Sequence, residues 1–599
     1  MSKNKNIPNW DLKDFYSSIT DSKIDKDKKE ISELAKKFTK RYKGKIKSPK
    51  LTVNTLLKAL TDYEKVLQKT YMLGSFSDYL FTTNTKSDEI KNFYQESQEF
   101  STKISSQILW FNLEWIELND KAAKSLIKNH KLNEYKHYLS EARVFKPFTL
   151  SEKEEQIFTL KSQTSNEAFK RLYDQTESAE KFEIEIKGKK QTLNSSEIGS
   201  IMKNHQERLV REKGIKSYSE THSRNGNLYT YILNTLLLDK KINDEIRKFN
   251  YPEEATFLNY EIKPKTVEIM TKAVTHNKSM VEEFYIAKKK ILKTDKLHEW
   301  DRYSNIFNMK SEKTYSWNEA KEIILSTFKE VSDEFYNIAK LFFDNNWIDA
   351  EIKSGKRSGA YCSYNIPSKH PMVFVNYSGK VEDISTLAHE LGHAIHAYLG
   401  RNQKLLQFYS STAIAEMAST FAESLVFEKL YKATSDKKEK INLLGSKIQN
   451  NFATVFRQND FYLFERKIHK LRRTKGELTE RELSNLYQTT LQETFGKGLI
   501  LTELHKSFWM PISHFYHYNF YVFTYVLGEL LALSVYAEYK KQGKGFIEKY
   551  IKSLKAAGSL NPYEITKIMG IDIEKDDFWQ NGLNLIKEEV ESFKSLTKQ

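Results

Sequence analysis

Residues 386–394 read Thr-Leu-Ala-His-Glu-Leu-Gly-His-Ala, with two histidines four apart and a glutamate directly after the first. On a helix, His389 and His393 share one face, so both imidazoles can reach a single metal ion. Glu390 then stands beside water activated by that ion and can take its proton as general base. A hydrolytic zinc site needs a third protein ligand and one open position, and one helix cannot supply three inner ligands. Glu416, in the next helical segment (residues 412–430), is the expected third ligand. Glu423 follows it by seven residues on the same face, placed to accept a hydrogen bond from a liganding histidine. Ile414, Ala415, Met417, Ala418, Phe421 and Ala422 surround the two glutamates, and carboxylates in such apolar company require partners. His396, about 10 Å from His389 by helix rise, reads as a packing or supporting residue. Asp383 and Ser385 precede the apolar run and supply N-cap chemistry for the metal helix.

A second constellation lies in residues 511–525. His514, His517, Tyr521 and Tyr525 fall at steps of three and four, which puts them in one polar stripe on an otherwise apolar helix, continued by Gly528. Peptide hydrolysis builds an oxyanion that such donors can stabilise. His517 and Tyr521 are the first choices, with Tyr525 and His514 beside them. In the loop 354–362, Gly355 and Gly359 would let a substrate backbone approach, and Tyr361 is a candidate substrate contact. No P-loop pattern follows that loop. Cys362 has no activating neighbour in sequence and reads as a packing residue.

The elements that must position these groups are mostly helical. Residues 31–38, 56–73 and 88–111 show helical periodicity with charged outer faces. Two stretches break it. Phe182–Ile186 and residues 191–193 alternate around Lys187-Gly188-Lys189, as a hairpin does, and Asn194-Ser195-Ser196 then caps a helix. Residues 359–364 and 372–377 are short β-rich runs just before the metal motif, expected to pair as strands. The expected division is a helical N-terminal region to residue 115, a middle segment at 116–200 with the hairpin, and a catalytic region at 201–599.

At 599 residues with 39% apolar content and little glycine or proline, the chain is foldable and long enough for more than one packed region. The formal charge of +16 is distributed along the length beside acidic residues, which reads as solvated helix faces rather than a nucleic-acid footprint. One cysteine permits no internal disulfide and suits a reducing compartment. The opening MSKNKNIPNWDLKDFY has no apolar signal-peptide core, and residues 520–536, interrupted by Glu529, read as a buried helix rather than a membrane span. The expectation is a cytoplasmic protein with no membrane and no specific nucleic-acid partner, its oligomeric state left open.

Taken together, these residues resemble the oligoendopeptidase F branch of the thimet-oligopeptidase (neurolysin-like) zinc metallopeptidase family. The likeness covers most of the chain: Asn9-Trp10-Asp11-Leu12, residues 356–362, His370-Pro371 through Asn376-Tyr377 to the His389–His393 motif, residues 415–423, and 514–525 leading into Gly528-Glu529-Leu530-Leu531. It implies a predominantly α-helical, two-lobed zincin-type body with a deep central channel and a small sheet beside the metal helix. It implies an endopeptidase acting on short oligopeptides with one zinc ion per chain. By the same resemblance the metal ligands fall on His389, His393 and Glu416, the base on Glu390, and the tyrosine and histidine donors on residues 514–525. A peptide is expected to pair with the strand around 372–377, taken as an edge. Two rival readings are a helical zinc carboxypeptidase with the same ligands, and a basic binding protein that has lost catalysis.

Overall fold

Short polar side chains start the helices where the charge-patterned segments begin. Asp21 accepts a hydrogen bond from the Lys23 N–H ahead of helix Ser22–Tyr42, Thr52 from Thr55 ahead of Val53–Thr83, and Ser87 from Ile90 ahead of Asp88–Ile108. The computed structural model describes residues 7–307 and 313–598, so the first six residues of the opening stretch lie outside the described residues. Helices dominate it, with one two-stranded and one three-stranded sheet. No helix among the described residues is long and apolar enough to cross a membrane.

Contacts group the described residues into two compact units. The first takes residues within 1–147, 312–429 and 538–572; the second takes 148–311, 430–537 and 573–599. The units interleave along the chain, whereas the division drawn from sequence runs in chain order. Long-range contacts decide the grouping, and composition does not encode them.

In the first unit, the three N-terminal helices and the short helix Trp110–Glu117 that follows them bury Phe38, Tyr63, Trp110 and Phe111 in one cluster, with the Phe38 and Trp110 rings stacked at 5.1 Å. The same unit holds the three-stranded sheet: β3 (Ile348–Asp349), β4 (Tyr361–Ser363) and β5 (Met372–Phe374), in the order β3-β5-β4. The two β-rich runs do pair, antiparallel, with Cys362 opposite Val373. Strand β3 runs parallel to the other side of β5, and all three β5 residues are buried. The 372–377 run is therefore the sheet's centre, not its edge. The edge strands are β3 and β4; the N-terminal segment meets the backbone flanking β3, where the Ala350 N–H donates to the Pro8 carbonyl at 2.9 Å, so the expected site of peptide pairing moves to β4. The apolar run Met372-Val373-Phe374, buried throughout, has the character of a central strand.

The loop before β4 is tied to this sheet by Lys356. Its ammonium lies 2.6 Å from the Asp349 carboxylate, both side chains being almost wholly buried. It also donates to the carbonyls of Val375 and Glu351 at 2.7 and 3.0 Å. A buried lysine so fully partnered fixes the course of the chain from Arg357 to Tyr361.

The second unit contains the expected hairpin, β1 (Phe182–Ile186) and β2 (Lys189–Leu193). Lys187 and Gly188 both take positive φ, 52° and 78°, the geometry of a tight two-residue turn. Asn194 caps the next helix by accepting from the Ser196 and Glu197 N–H groups. Helix Phe523–Gln542, also largely in this unit, buries Val526, Leu527, Leu530 and Leu531, as its apolar sequence requires.

Candidate metal centre

The metal motif sits inside helix Val381–Gly400, which begins at residue 381. Asp383 is thus its third residue rather than its N-cap, and Ser385 lies inside the helix. Asp383 still serves the terminus, because its carboxylate accepts from the backbone N–H groups of Lys380 at 3.0 Å and Ser378 at 2.7 Å.

Helix Thr412–Ala433 approaches closely enough to bring its carboxylates to the histidines. Gly392 decides this. A Cβ there would lie 2.6 Å from Ser419 Cα and 2.7 Å from the Ala418 carbonyl oxygen, so only glycine permits the contact. Glycine in a helix interior costs about 1 kcal/mol relative to alanine. That unexplained cost was the signal in the sequence for a close helix crossing, and the reading above missed it.

One atom each from His389, His393 and Glu416 lie within 4.8 Å of one another. Glu416 Oε2 is 3.6 Å from His389 Nε2 and 3.9 Å from His393 Nε2. Ligand atoms around a tetrahedral zinc ion stand about 3.4 Å apart, given bonds of about 2.0–2.1 Å. The trio is therefore spaced for one small divalent ion, and two imidazoles with one carboxylate are a suitable donor set for it. His389 Nδ1 lies 3.3 Å from Glu423 Oε2, a hydrogen bond that leaves Nε2 for the metal.

With side chains alone in the site, burial lowers the His389 pKa, but the hydrogen bond to Glu423 and the charges of Glu423, Glu390 and Glu416 outweigh it and push it up to about 9. Burial, helped by the charge of His389, holds His393 well below the ordinary range, in the neutral form that ligates. Burial pushes the Glu390 carboxyl up to about 7; His389 opposes this, while Glu416 and Glu423 add to it. A carboxyl poised there can accept a proton near neutrality and release it again. His396 is buried outside the trio, 3.2 Å from Ser410 Oγ, and burial lowers it to about 4, so it is a neutral packing residue.

A cavity of 420 Å³ opens on this centre, lined by His389, Glu390, His393 and Glu416 together with Tyr361, Cys362 and Tyr364 of the β4 region. Tyr364 was not singled out from sequence, although its strand parity with Cys362 puts it on the same face. Cys362 is partly buried on the cavity wall, and desolvation, with the charge of Glu390, pushes its thiol well above the ordinary range. Tyr361 lines the cavity, with its hydroxyl 2.8 Å from Thr82 Oγ1 and its ring stacked on Phe374. Gly355 does not line it. Its φ of +87° serves a turn whose carbonyl accepts from the Thr85 N–H at 2.7 Å. Gly359, also at +87°, has open space around its Cα, and its carbonyl accepts from the Asn376 side chain at 2.9 Å.

The 514–525 stretch belongs to the second unit, and it is not one helix. A four-residue turn, His514–His517, ends at Tyr518, and the next helix starts at Phe523. Between them Phe520 takes a left-handed φ of 58°, and its N–H donates to buried Glu465 at 2.6 Å. The break separates the expected stripe. His514 Nε2 lies 3.1 Å from the Tyr525 hydroxyl, and the Tyr521 ring stacks on His514 at 5.8 Å. His517 turns instead to Asp174 at 2.8 Å. Neither Glu465 nor Asp174 was visible as a partner in sequence, because both lie far along the chain.

The model of peptidase family M3 matches residues 201–585, and that of the oligopeptidase F N-terminal domain matches 114–182. Oligopeptidase PepF of Bacillus subtilis is 26% identical over 592 residues, covering 98% of this chain and 87% of its own. The chromosomal oligoendopeptidase F of Lactococcus lactis subsp. cremoris is 26% identical over 612 residues, covering 100% and 99%. Among solved structures, a putative peptidase from Chlamydophila abortus superposes with a TM-score of 0.87 at 22% identity, over 99% of this chain and 100% of that one. Oligoendopeptidase-F from Enterococcus faecium does so at 0.71 and 22%, over 96% and 98%.

Proposed function

Because this chain belongs to peptidase family M3 and is therefore a metallopeptidase, we propose that it hydrolyses internal bonds of short peptides with one zinc ion held by His389, His393 and Glu416. The convergence of two imidazoles and a carboxylate beside the buried Glu390 carries this reading. The names of its relatives, oligoendopeptidase F and oligopeptidase, support short peptides as substrates.

When bound, the ion supplies Lewis acidity that acidifies water and polarises a peptide carbonyl. The chain's own residues do the rest. Glu423 holds the His389 ring in the tautomer that presents Nε2. The substrate lies along the unpaired side of β4, where backbone hydrogen bonds align it without regard to side chain. Glu390 removes the proton of the attacking water and delivers it to the departing amine. The family resemblance assigns the oxyanion donors to the 514–525 segment, with Tyr521 first and Tyr525 and His514 beside it. His517, engaged by Asp174, is assigned to holding that segment rather than to the reaction. Cys362 as the single, unpaired cysteine supports a reducing, cytoplasmic home.

The test is metal analysis of the purified protein together with cleavage of an internally quenched, end-blocked peptide of about ten residues, with and without chelator. One zinc per chain and chelator-sensitive internal cleavage are expected. A carboxypeptidase would leave the end-blocked peptide intact. Glu390→Gln should keep its zinc and lose roughly 10²–10⁴-fold in kcat. Normal turnover by that variant would remove Glu390 from the reaction.

A further inference from the structure

A second cavity, of 370 Å³, lies in the same unit and shares Tyr361, Cys362 and Tyr364 with the metal cavity. Its remaining wall includes Asp78, Arg357, Ser363, Asn365 and Tyr409. Most of these polar groups are already satisfied. The Tyr79 hydroxyl donates to Ser363 Oγ at 3.0 Å, Asn365 Nδ2 to Ser75 Oγ at 2.9 Å, and the Tyr409 hydroxyl to the Asn365 carbonyl at 3.0 Å. Asp78 and Arg357 are the exceptions. Among the described residues, neither side chain makes a hydrogen bond or ion pair, with the other or with anything else. Asp78 is half-buried, and burial raises its carboxyl pKa while the charge of Arg357 offsets this only in part. A desolvated carboxylate without a partner costs stability, and such a cost persists where a ligand meets it. Arg357 stands exposed to water, which screens its charge.

We propose that this cavity is a substrate subsite in which Asp78 receives a cationic side chain, lysine or arginine, of the bound peptide. The inference rests on the peptidase reading above. Both cavities open on β4, and an extended peptide advances about 3.3 Å per residue. A peptide with its scissile bond at the metal centre therefore carries a residue a few positions away into the second cavity. Arg357 sets the limit of the preference, since its positive charge at the opening opposes the incoming cation. The loop holding it does not depend on its side chain: its N–H donates to the Thr82 carbonyl at 2.9 Å, and Lys356 anchors the neighbouring backbone.

The experiment is a positional series of end-blocked, internally quenched peptides, each carrying lysine, norleucine or glutamate at one of three positions on either side of the scissile bond. The readout is the ratio of kcat/KM for lysine over norleucine, taken within each enzyme, so that differences in folded fraction cancel. At one position the zinc-loaded wild type should prefer lysine by roughly tenfold, as expected for a charged pair in a partly dry site. Asp78→Asn should bring the ratio near one, and Arg357→Gln should raise it. If peptides are cleaved but no position shows a lysine preference that Asp78→Asn removes, the subsite is wrong and the peptidase reading stands. The subsite is equally wrong if Arg357→Gln lowers the ratio. If the zinc-loaded wild type cleaves none of the series, the peptidase reading falls and the subsite with it.

Discussion

The metal helices and the 514–525 segment present the same kind of evidence in sequence, polar residues at steps of three and four, yet they fold differently. In helix Val381–Gly400 the spacing holds, and His389 and His393 meet Glu416 as their register requires. In 514–525 the helix stops, Phe520 adopts a left-handed backbone, and His517 leaves the group it was expected to join. The first helix is largely buried from Leu387 onward, including Ala388, Leu391, Gly392 and Ala394, so packing enforces regular geometry around the motif. The second is interrupted where a buried carboxyl group, Glu465, offers the Phe520 N–H an acceptor in place of an intrahelical carbonyl. Periodicity is a reliable guide only where no stronger tertiary partner competes for the backbone.

Five substitutions sharpen or break this contrast. If the rearranged segment still supplies the oxyanion donor, Tyr521→Phe should lower kcat roughly 10²–10³-fold at unchanged zinc content. His517→Gln should cost far less, and equal losses in the two variants would restore the single-stripe reading. Next comes Gly392→Ala. Its new Cβ would meet the backbone of Ser419 and Ala418 rather than a flexible side chain, so a loss of about 1–3 kcal/mol in stability and a lower zinc content are expected. Denaturant unfolding and metal titration read both, and a fully stable, zinc-replete variant would show that the two helices can separate without consequence.

Glu423→Gln keeps the shape of the group that orients His389 but removes its charge. It should weaken zinc binding roughly 10–100-fold in competition with a chelator. Unchanged affinity would mean that the 3.3 Å contact does not orient the ligand.

The smallest effect belongs to Glu465, at the break itself. Burial raises its carboxyl from the ordinary 4.5 to about 8, so the folded protein holds a proton there that the unfolded chain has released. Its stabilising contribution is complete below about pH 4.5 and is lost as pH rises through 8. Thermal midpoints across pH 5–9 should therefore fall less steeply in Glu465→Gln, which still offers Phe520 an acceptor. Identical slopes in variant and wild type would show that this carboxyl is not what makes stability pH-dependent.

Much of the molecule was legible without coordinates. The helical class, the β1–β2 hairpin with its Lys187-Gly188 turn, and the antiparallel pairing of the two runs before the metal motif all follow from local pattern. The metal trio was legible because two of its members lie within one helical turn and the third stands among apolar neighbours that single it out. The order of the three-stranded sheet was not, because β3 is only two residues long and carries no strand signature. Asp78 was not, because an aspartate on a long helix reads as solvated until the cavity beside it is seen.

By itself, then, the sequence determined which residue types were available for chemistry and which local elements would carry them, because dihedral preference and side-chain period act over a few residues. The tertiary structure alone decided that β5 is central, that Gly392 sets the approach of the ligand helix, that His517 answers to Asp174, and that Asp78 and Arg357 share a cavity. Each of these depends on groups tens to hundreds of residues apart. What joins them is burial and the satisfaction of polar groups in the folded chain, and neither has a signature in a short window of sequence.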